Sequence, residues 1–125
     1  MNIALFFGGL FGFLSIIFGA FGAHLLKKKL NSDQLQSFET GVKYQMYHAI
    51  VLLVLAYSGI EENDVYNYIL NLLIVGVFLF SFSIYGLILS DMRGKKLKIL
   101  GPITPLGGLL LAAAWGLIIY TAVMF

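Results

Sequence analysis

The sequence predicts an all-α integral membrane protein: a four-helix bundle with both termini outside and a short interfacial helix before the second span. Three observations carry that reading. Residues 1–26, 44–60, 65–90 and 99–125 contain no charged side chain, whereas all eight Lys and Arg fall within 27–43 and 91–98. Hydrophobic residues make up 60% of the chain and charged residues 11%, with a mean hydropathy of +0.93. A hydrocarbon core about 30 Å thick takes about 20 apolar helical residues, and each uncharged segment reaches or approaches that length. The 125 residues form one four-span domain, 1–125, with no room for an extramembrane module.

Orientation follows from the charges. Four spans put loops one and three on one side, and these loops hold Lys27, Lys28, Lys29, Lys43, Arg93, Lys95, Lys96 and Lys98. Loop two holds Glu61, Glu62 and Asp64 with no base. The positive-inside bias makes loops one and three cytoplasmic and both termini external. The basic pI of about 8.9 is thus a topology signal, and nucleic acid is not an expected partner. The first segment lacks a basic leader and is too long for a signal's apolar core, so it reads as a retained helix.

The first helix is predicted over roughly 3–25. Ala4, Gly8, Gly12, Ser15, Gly19 and Gly22 recur along it at the helical period and mark a packing seam. The second spans 33–59, with Asp33 as its cap and a wet first part lying along the interface. The third covers 65–90, with Gly76, Ser83 and Ser90 as its small stripe, and the fourth covers 105–124, with Gly108, Ala112 and Gly116. Thr104 is the expected cap of the fourth and Pro105 its first residue, where no N–H is needed. These seams serve internal packing or a homo-oligomer contact. Tyr57, Tyr66, Tyr68 and Tyr120 form an outer belt, and Tyr44, Tyr47 and Tyr85 an inner one. Trp115, near the midplane, reads as a bundle residue.

Polar side chains from all four helices fall at one membrane level. His24 ends the first helix, Gln45 and His48 lie near the start of the second span, Ser81, Ser83 and Tyr85 descend the third, and Thr104 opens the fourth. Polar groups in lipid must find partners, and ionisable ones are candidates for function. The expectation is a candidate ligand-binding cluster of His24, Gln45, His48, Ser81, Ser83, Tyr85 and Thr104, forming a shallow pocket open to the cytoplasm. Each residue also has a structural reading. His24 complements a helix C-terminus, His48 serves as an interhelical hydrogen-bond partner, and the serines bond back to their own helix carbonyls.

Catalytic constellations are missing, so the sequence argues against an enzyme. No carboxylate lies within a span, no cysteine is present, and two histidines without an acidic neighbour make a poor zinc site. Nucleotide-binding loops and nucleophile elbows are absent. No cofactor is expected, haem ligation by His24 and His48 being a distant option.

Four motifs in order, Gly19-Ala20-Phe21-Gly22-Ala23-His24, Phe38-Glu39-Thr40-Gly41 with Tyr44-Gln45-Met46-Tyr47-His48, Phe80-Ser81-Phe82-Ser83-Ile84-Tyr85, and Gly101-Pro102-Ile103-Thr104-Pro105-Leu106-Gly107-Gly108 followed by Trp115, closely resemble domain-of-unknown-function family 423. That family includes small bacterial inner-membrane proteins and the animal transmembrane protein 256, and the likeness covers nearly the whole chain. It implies a multi-pass protein of the bacterial plasma membrane and brings no reaction, substrate or catalytic residue. Two functional classes follow. The favoured one is a non-enzymatic membrane protein whose cytoplasm-facing polar cluster binds a small ligand, lipid headgroup or partner. The alternative is an oligomeric small-solute transporter or channel, disfavoured because the outer halves of the spans hold few polar residues beyond Asn71 and Thr121. Membrane lipid and a homo-oligomer are the expected partners.

Overall fold

The computed structural model describes residues 1–124 and is all-helical among them. The described residues form four long helices: α1 (Ile3–Leu26), α2 (Ser32–Tyr57), α3 (Asp64–Met92) and α4 (Ile103–Met124). A short 3₁₀ turn, Lys98–Leu100, leads into α4. Helices α1 and α3 and the stretch Lys98–Met124 are long and apolar enough to cross a membrane. Helix α2 is of comparable length but more polar, because Gln45 and His48, with Tyr44 and Tyr47 beside them, fall in its middle.

Local chemistry fixes the helix ends. Asn2, Asn31 and Asn63 cap α1, α2 and α3, each accepting from a backbone N–H three residues on. At α2 the cap is a reciprocal box, since Gln34 Oε1 also accepts from the N–H of Asn31 at 3.0 Å. The cap is therefore Asn31 and not Asp33, which lies in the first turn. At the other end of α3, Gly94 has a positive φ of 78°. Its N–H donates to Asp91 O and that of Lys95 to Ser90 O, the paired closure that a left-handed glycine allows.

Two expectations at helix starts are corrected. The anticipated interfacial helix is not a separate element, because Ser32–Tyr57 runs as one unbroken α-helix with no break between its wet first turns and its apolar remainder. Helix α4 begins at Ile103, so Thr104 is an interior residue of its first turn. Pro105 then falls at the third helical position, where its missing N–H is still one of the four that have no intrahelical acceptor.

Helices α2 and α3 form the centre, with α1 packed on α2 and α4 packed on α3. The small stripe of α1 does face α2. Gly8 meets Ala49 and Leu53, Gly12 meets Ala49, Gly19 meets Val42 and Gly22 meets Phe38. The stripe assigned to α4 is not its buried face. Gly107, Leu111 and Ala114 are buried, whereas Ala112 and Gly116 are exposed. The reason is a contact at Gly107, where an added Cβ would lie 2.3 Å from Phe80 N and 2.6 Å from Leu79 C. Only glycine permits that backbone approach.

The packing divides into two apolar clusters. The larger gathers Ala4, Phe11, Leu52, Leu73, Val77 and their neighbours, and the smaller gathers Leu30, Phe38, Tyr85 and Ile88. Two widened π-helical turns, Ile17–Gly22 in α1 and Phe78–Phe82 in α3, lie near their junction. Such turns interrupt the ordinary hydrogen-bond ladder and re-aim the side chains beyond them. Phe18 and Phe82, one from each, both meet the Tyr85 ring edge-on, at centroid distances of 5.2 and 5.4 Å.

Gly107→Ala is expected to destabilise the bundle by about 2–3 kcal/mol or to prevent folding, since backbone cannot yield as a side chain can. Gly116→Ala, with open space around it, is expected to be neutral. Thermal unfolding of both variants in detergent checks the contrast.

Candidate functional site

Gln45 is 0% exposed and joins three helices. Its Nε2 donates to the carbonyl of Phe11 on α1 at 2.9 Å, and its Oε1 accepts from the hydroxyl of Tyr85 on α3 at 2.7 Å. One turn earlier on α2, the carbonyl of Gly41 accepts from Ser81 Oγ at 2.7 Å. Ser81 sits in the π turn of α3 and is likewise fully buried. Gly41 is needed there because a Cβ would stand 2.9 Å from Tyr85 Cε1.

Two further polar pairs bring in α4. Ser83 Oγ lies 2.5 Å from Thr104 Oγ1; with one proton each, one hydroxyl donates to the other, which donates in turn to a carbonyl, that of Phe80 on α3 for Ser83 or that of Leu100 in the 3₁₀ turn for Thr104. His48 bonds through both ring nitrogens. Its Nδ1 is 2.6 Å from the carbonyl of Tyr44, and its Nε2 accepts from the indole N–H of Trp115 at 3.2 Å. A carbonyl only accepts and an indole N–H only donates, so the pair of bonds specifies the neutral Nδ1–H tautomer.

The expected cluster is thereby resolved residue by residue. Gln45, Tyr85 and Ser81 form one bonded group, Ser83 and Thr104 a second, and His48 with Trp115 a third. His24 joins none of them, being exposed near the end of α1 with no hydrogen bond from its ring among the described residues. Apart from His24, each of these polar groups has a hydrogen-bond partner inside the protein. Sequence reading missed the acceptors, which are main-chain carbonyls of Phe11, Gly41 and Tyr44 that no residue type announces. It also missed the bond from Trp115, although the placement of that residue near mid-helix was the available signal. Among the described residues, one buried polar atom, Ser15 Oγ, has no partner. The Phe11 carbonyl one turn before it is taken by Gln45.

A hollow of about 410 Å³ does exist, at the end of the bundle that carries the basic loops. It lies between the starts of α2 and α4 and the end of α3. Asp33, Ser37, Asp91, Lys96 and Thr104 contribute its polar groups, and Ile84, Leu87 and Ile88 its apolar wall. Gln34 fixes the rim, since its Nε2 donates to Asp91 Oδ2 at 2.9 Å while its Oε1 closes the cap of α2. Loop three is held over it by Leu97 N–H, which donates to Ser90 Oγ at 3.0 Å. Of the predicted site residues, Thr104 alone reaches this hollow. A second hollow, about 300 Å³, lies at the opposite end and is lined in part by Glu61, Asn63, Tyr66 and Thr121. Fully buried Phe11, Leu52, Leu73 and Val77 belong to the packing between the ends. No group of three or more His, Cys, Asp or Glu suited to a metal occurs among the described residues.

Helices apolar enough to cross a membrane, with polar side chains satisfied helix to helix, define a small helical membrane protein. The chain belongs to the family described as Protein of unknown function (DUF423), whose model matches residues 18–108. That stretch contains Gln45, His48, Tyr85 and the whole lining of the 410 Å³ hollow, and stops short of Trp115. Among its relatives are UPF0382 membrane protein SH2409 of Staphylococcus haemolyticus, 40% identical over all of this chain and 98% of that protein. UPF0382 membrane protein YwdK of Bacillus subtilis is 37% identical over 100% and 99%. UPF0382 inner membrane protein YgdD of Escherichia coli is 33% identical over 95% and 88%. No solved structure matches the chain.

Tyr85→Phe strands the buried Oε1 of Gln45 and is expected to cost about 1 kcal/mol, a typical interhelical hydrogen bond. Chemical unfolding in mixed micelles measures it. Nitrogen-15 NMR of labelled His48 is expected to show a protonated Nδ1 and an unprotonated Nε2, with the Nε2 signal shifting in Trp115→Phe.

Proposed function

We propose that this is a non-enzymatic, multi-pass protein of the plasma membrane that holds a small polar ligand or lipid headgroup in the hollow at its basic end. The observation that carries the reading is the hollow itself. It combines charged and hydroxyl groups at the rim with an apolar wall below, the usual make-up of a small-molecule site. Both termini lie outside, and the hollow opens at the cytoplasmic surface, because the loops and the 3₁₀ turn beside it hold every Lys and Arg except Lys43, which lies in α2. The first turns of α2 then stand at the inner membrane surface, where Asp33 and Gln34 meet water. The interior pairs act as staples that keep α2, α3 and α4 at the spacing the hollow needs. A transport route gains no support, since Gln45 and His48 have their hydrogen bonds inside the protein and packed apolar side chains separate the two ends.

Native mass spectrometry from mild detergent is expected to find a retained lipid or small molecule, lost in Ser37→Phe, which fills the hollow. Retention unchanged in that variant would reject the site. Reporter fusions are expected to place both chain ends outside the cytoplasm.

A further inference from the structure

We propose that the hollow at the basic end takes an amine-bearing phosphodiester, the headgroup of an ethanolamine phospholipid, with its ammonium against Asp33 and Asp91 and its phosphate against Lys96. The inference rests on the assignment of that hollow as the binding site and specifies which headgroup it selects. Three features of the lining carry it.

The first is charge. Asp33 and Asp91 contribute two negative charges and Lys96 one positive, a net of −1. An anionic headgroup would meet more repulsion than attraction there, whereas a zwitterion matches both signs. Asp91 is preset for the role. Its Oδ2 is held by Gln34 at 2.9 Å, and a carboxylate has lone pairs for further donors.

The second is the absence of any aromatic side chain from the lining residues of the hollow. A quaternary ammonium has no N–H and is recognised by aromatic faces. A primary ammonium has three donors and wants oxygen acceptors. Asp33, Asp91 and the Ser37 hydroxyl supply those, so ethanolamine fits where choline does not.

The third is polarity with depth. Gly101, Thr104 and Pro105 place the first turn of α4, a helix of 22 residues, beside the hollow. Its partial positive charge adds to that of Lys96 for a phosphate. Ile84, Leu87 and Ile88 line the wall on the side of α3, the surface along which acyl chains would run into the bilayer. A soluble phosphoethanolamine ester shares the headgroup chemistry but leaves that wall uncovered.

The test is native mass spectrometry of the full chain in mild detergent, titrated with phosphatidylethanolamine, phosphatidylcholine and phosphatidylglycerol of identical acyl chains. Severalfold greater retention of the ethanolamine lipid supports the proposal. The double variant Asp33→Asn with Asp91→Asn changes the lining from −1 to +1, keeps an acceptor for Gln34, and is expected to turn the preference towards phosphatidylglycerol. Equal retention of all three lipids, or a preference the double variant leaves unchanged, overturns the headgroup assignment while leaving the hollow as a site. No retention of any lipid overturns the headgroup assignment, and no retention of a lipid or any small molecule overturns both. Glycerophosphoethanolamine is expected to compete only at much higher concentration; competition at the potency of the lipid overturns the membrane as the source.

Discussion

A polar group inside a bilayer has no water to turn to, and the arrangement of this bundle depends on that constraint. Gln45 is its clearest expression. With an amide nitrogen on the Phe11 carbonyl and an amide oxygen on the Tyr85 hydroxyl, one side chain sets the separation of α1, α2 and α3. Lipid removes the hydrophobic drive between helices, so such bonds and close packing decide how spans associate. The Ser81–Gly41, Ser83–Thr104 and Trp115–His48 bonds extend the same rule until every helix is tied to a neighbour.

Close approach makes those bonds reachable. Gly41 leaves room for the Tyr85 ring, and Gly107 lets α4 lie on the main chain of α3 at Leu79 and Phe80. That second contact is in the π turn, which also holds Ser81. The irregular turn, the glycine opposite it and the buried serine are therefore one feature: α3 is widened where α2 and α4 both press on it. A regular helix there would aim the side chains after it differently and separate Tyr85 from Gln45.

Interior satisfaction moves the candidate binding chemistry outward. Every hydrogen-bonding group that sequence reasoning offered to a ligand, save the exposed His24, is engaged within the protein, and of these Thr104 alone also lines the hollow. What is left open lies at the rim of the basic end, where Asp33, Asp91 and Lys96 stand over an apolar wall. The bonded core and the charged hollow thus have separate tasks. One fixes helix positions and the other presents charge at the level where a headgroup meets water.

The sequence by itself determined the membrane class, the four helices to within a few residues, the small face of α1 and the identities of the polar residues. These follow from local rules: charge exclusion from hydrocarbon, helical periodicity and capping chemistry. It went astray where the outcome depends on a neighbour. Gly108, Ala112 and Gly116 have the spacing of a seam, yet α4 turns Gly107 to the interface, where the backbone of α3 at Leu79 and Phe80 comes within reach of a Cβ. Asp33 looks like a cap, but Asn31 with Gln34 forms the reciprocal pair. Tertiary structure alone decided that Gln45 and Tyr85 would bond each other instead of a ligand, and that Asp91 and Lys96 would share a hollow. The physical reason is that both outcomes rest on main-chain acceptors, widened turns and inter-helix distances, which belong to pairs of segments and leave no mark on either segment alone.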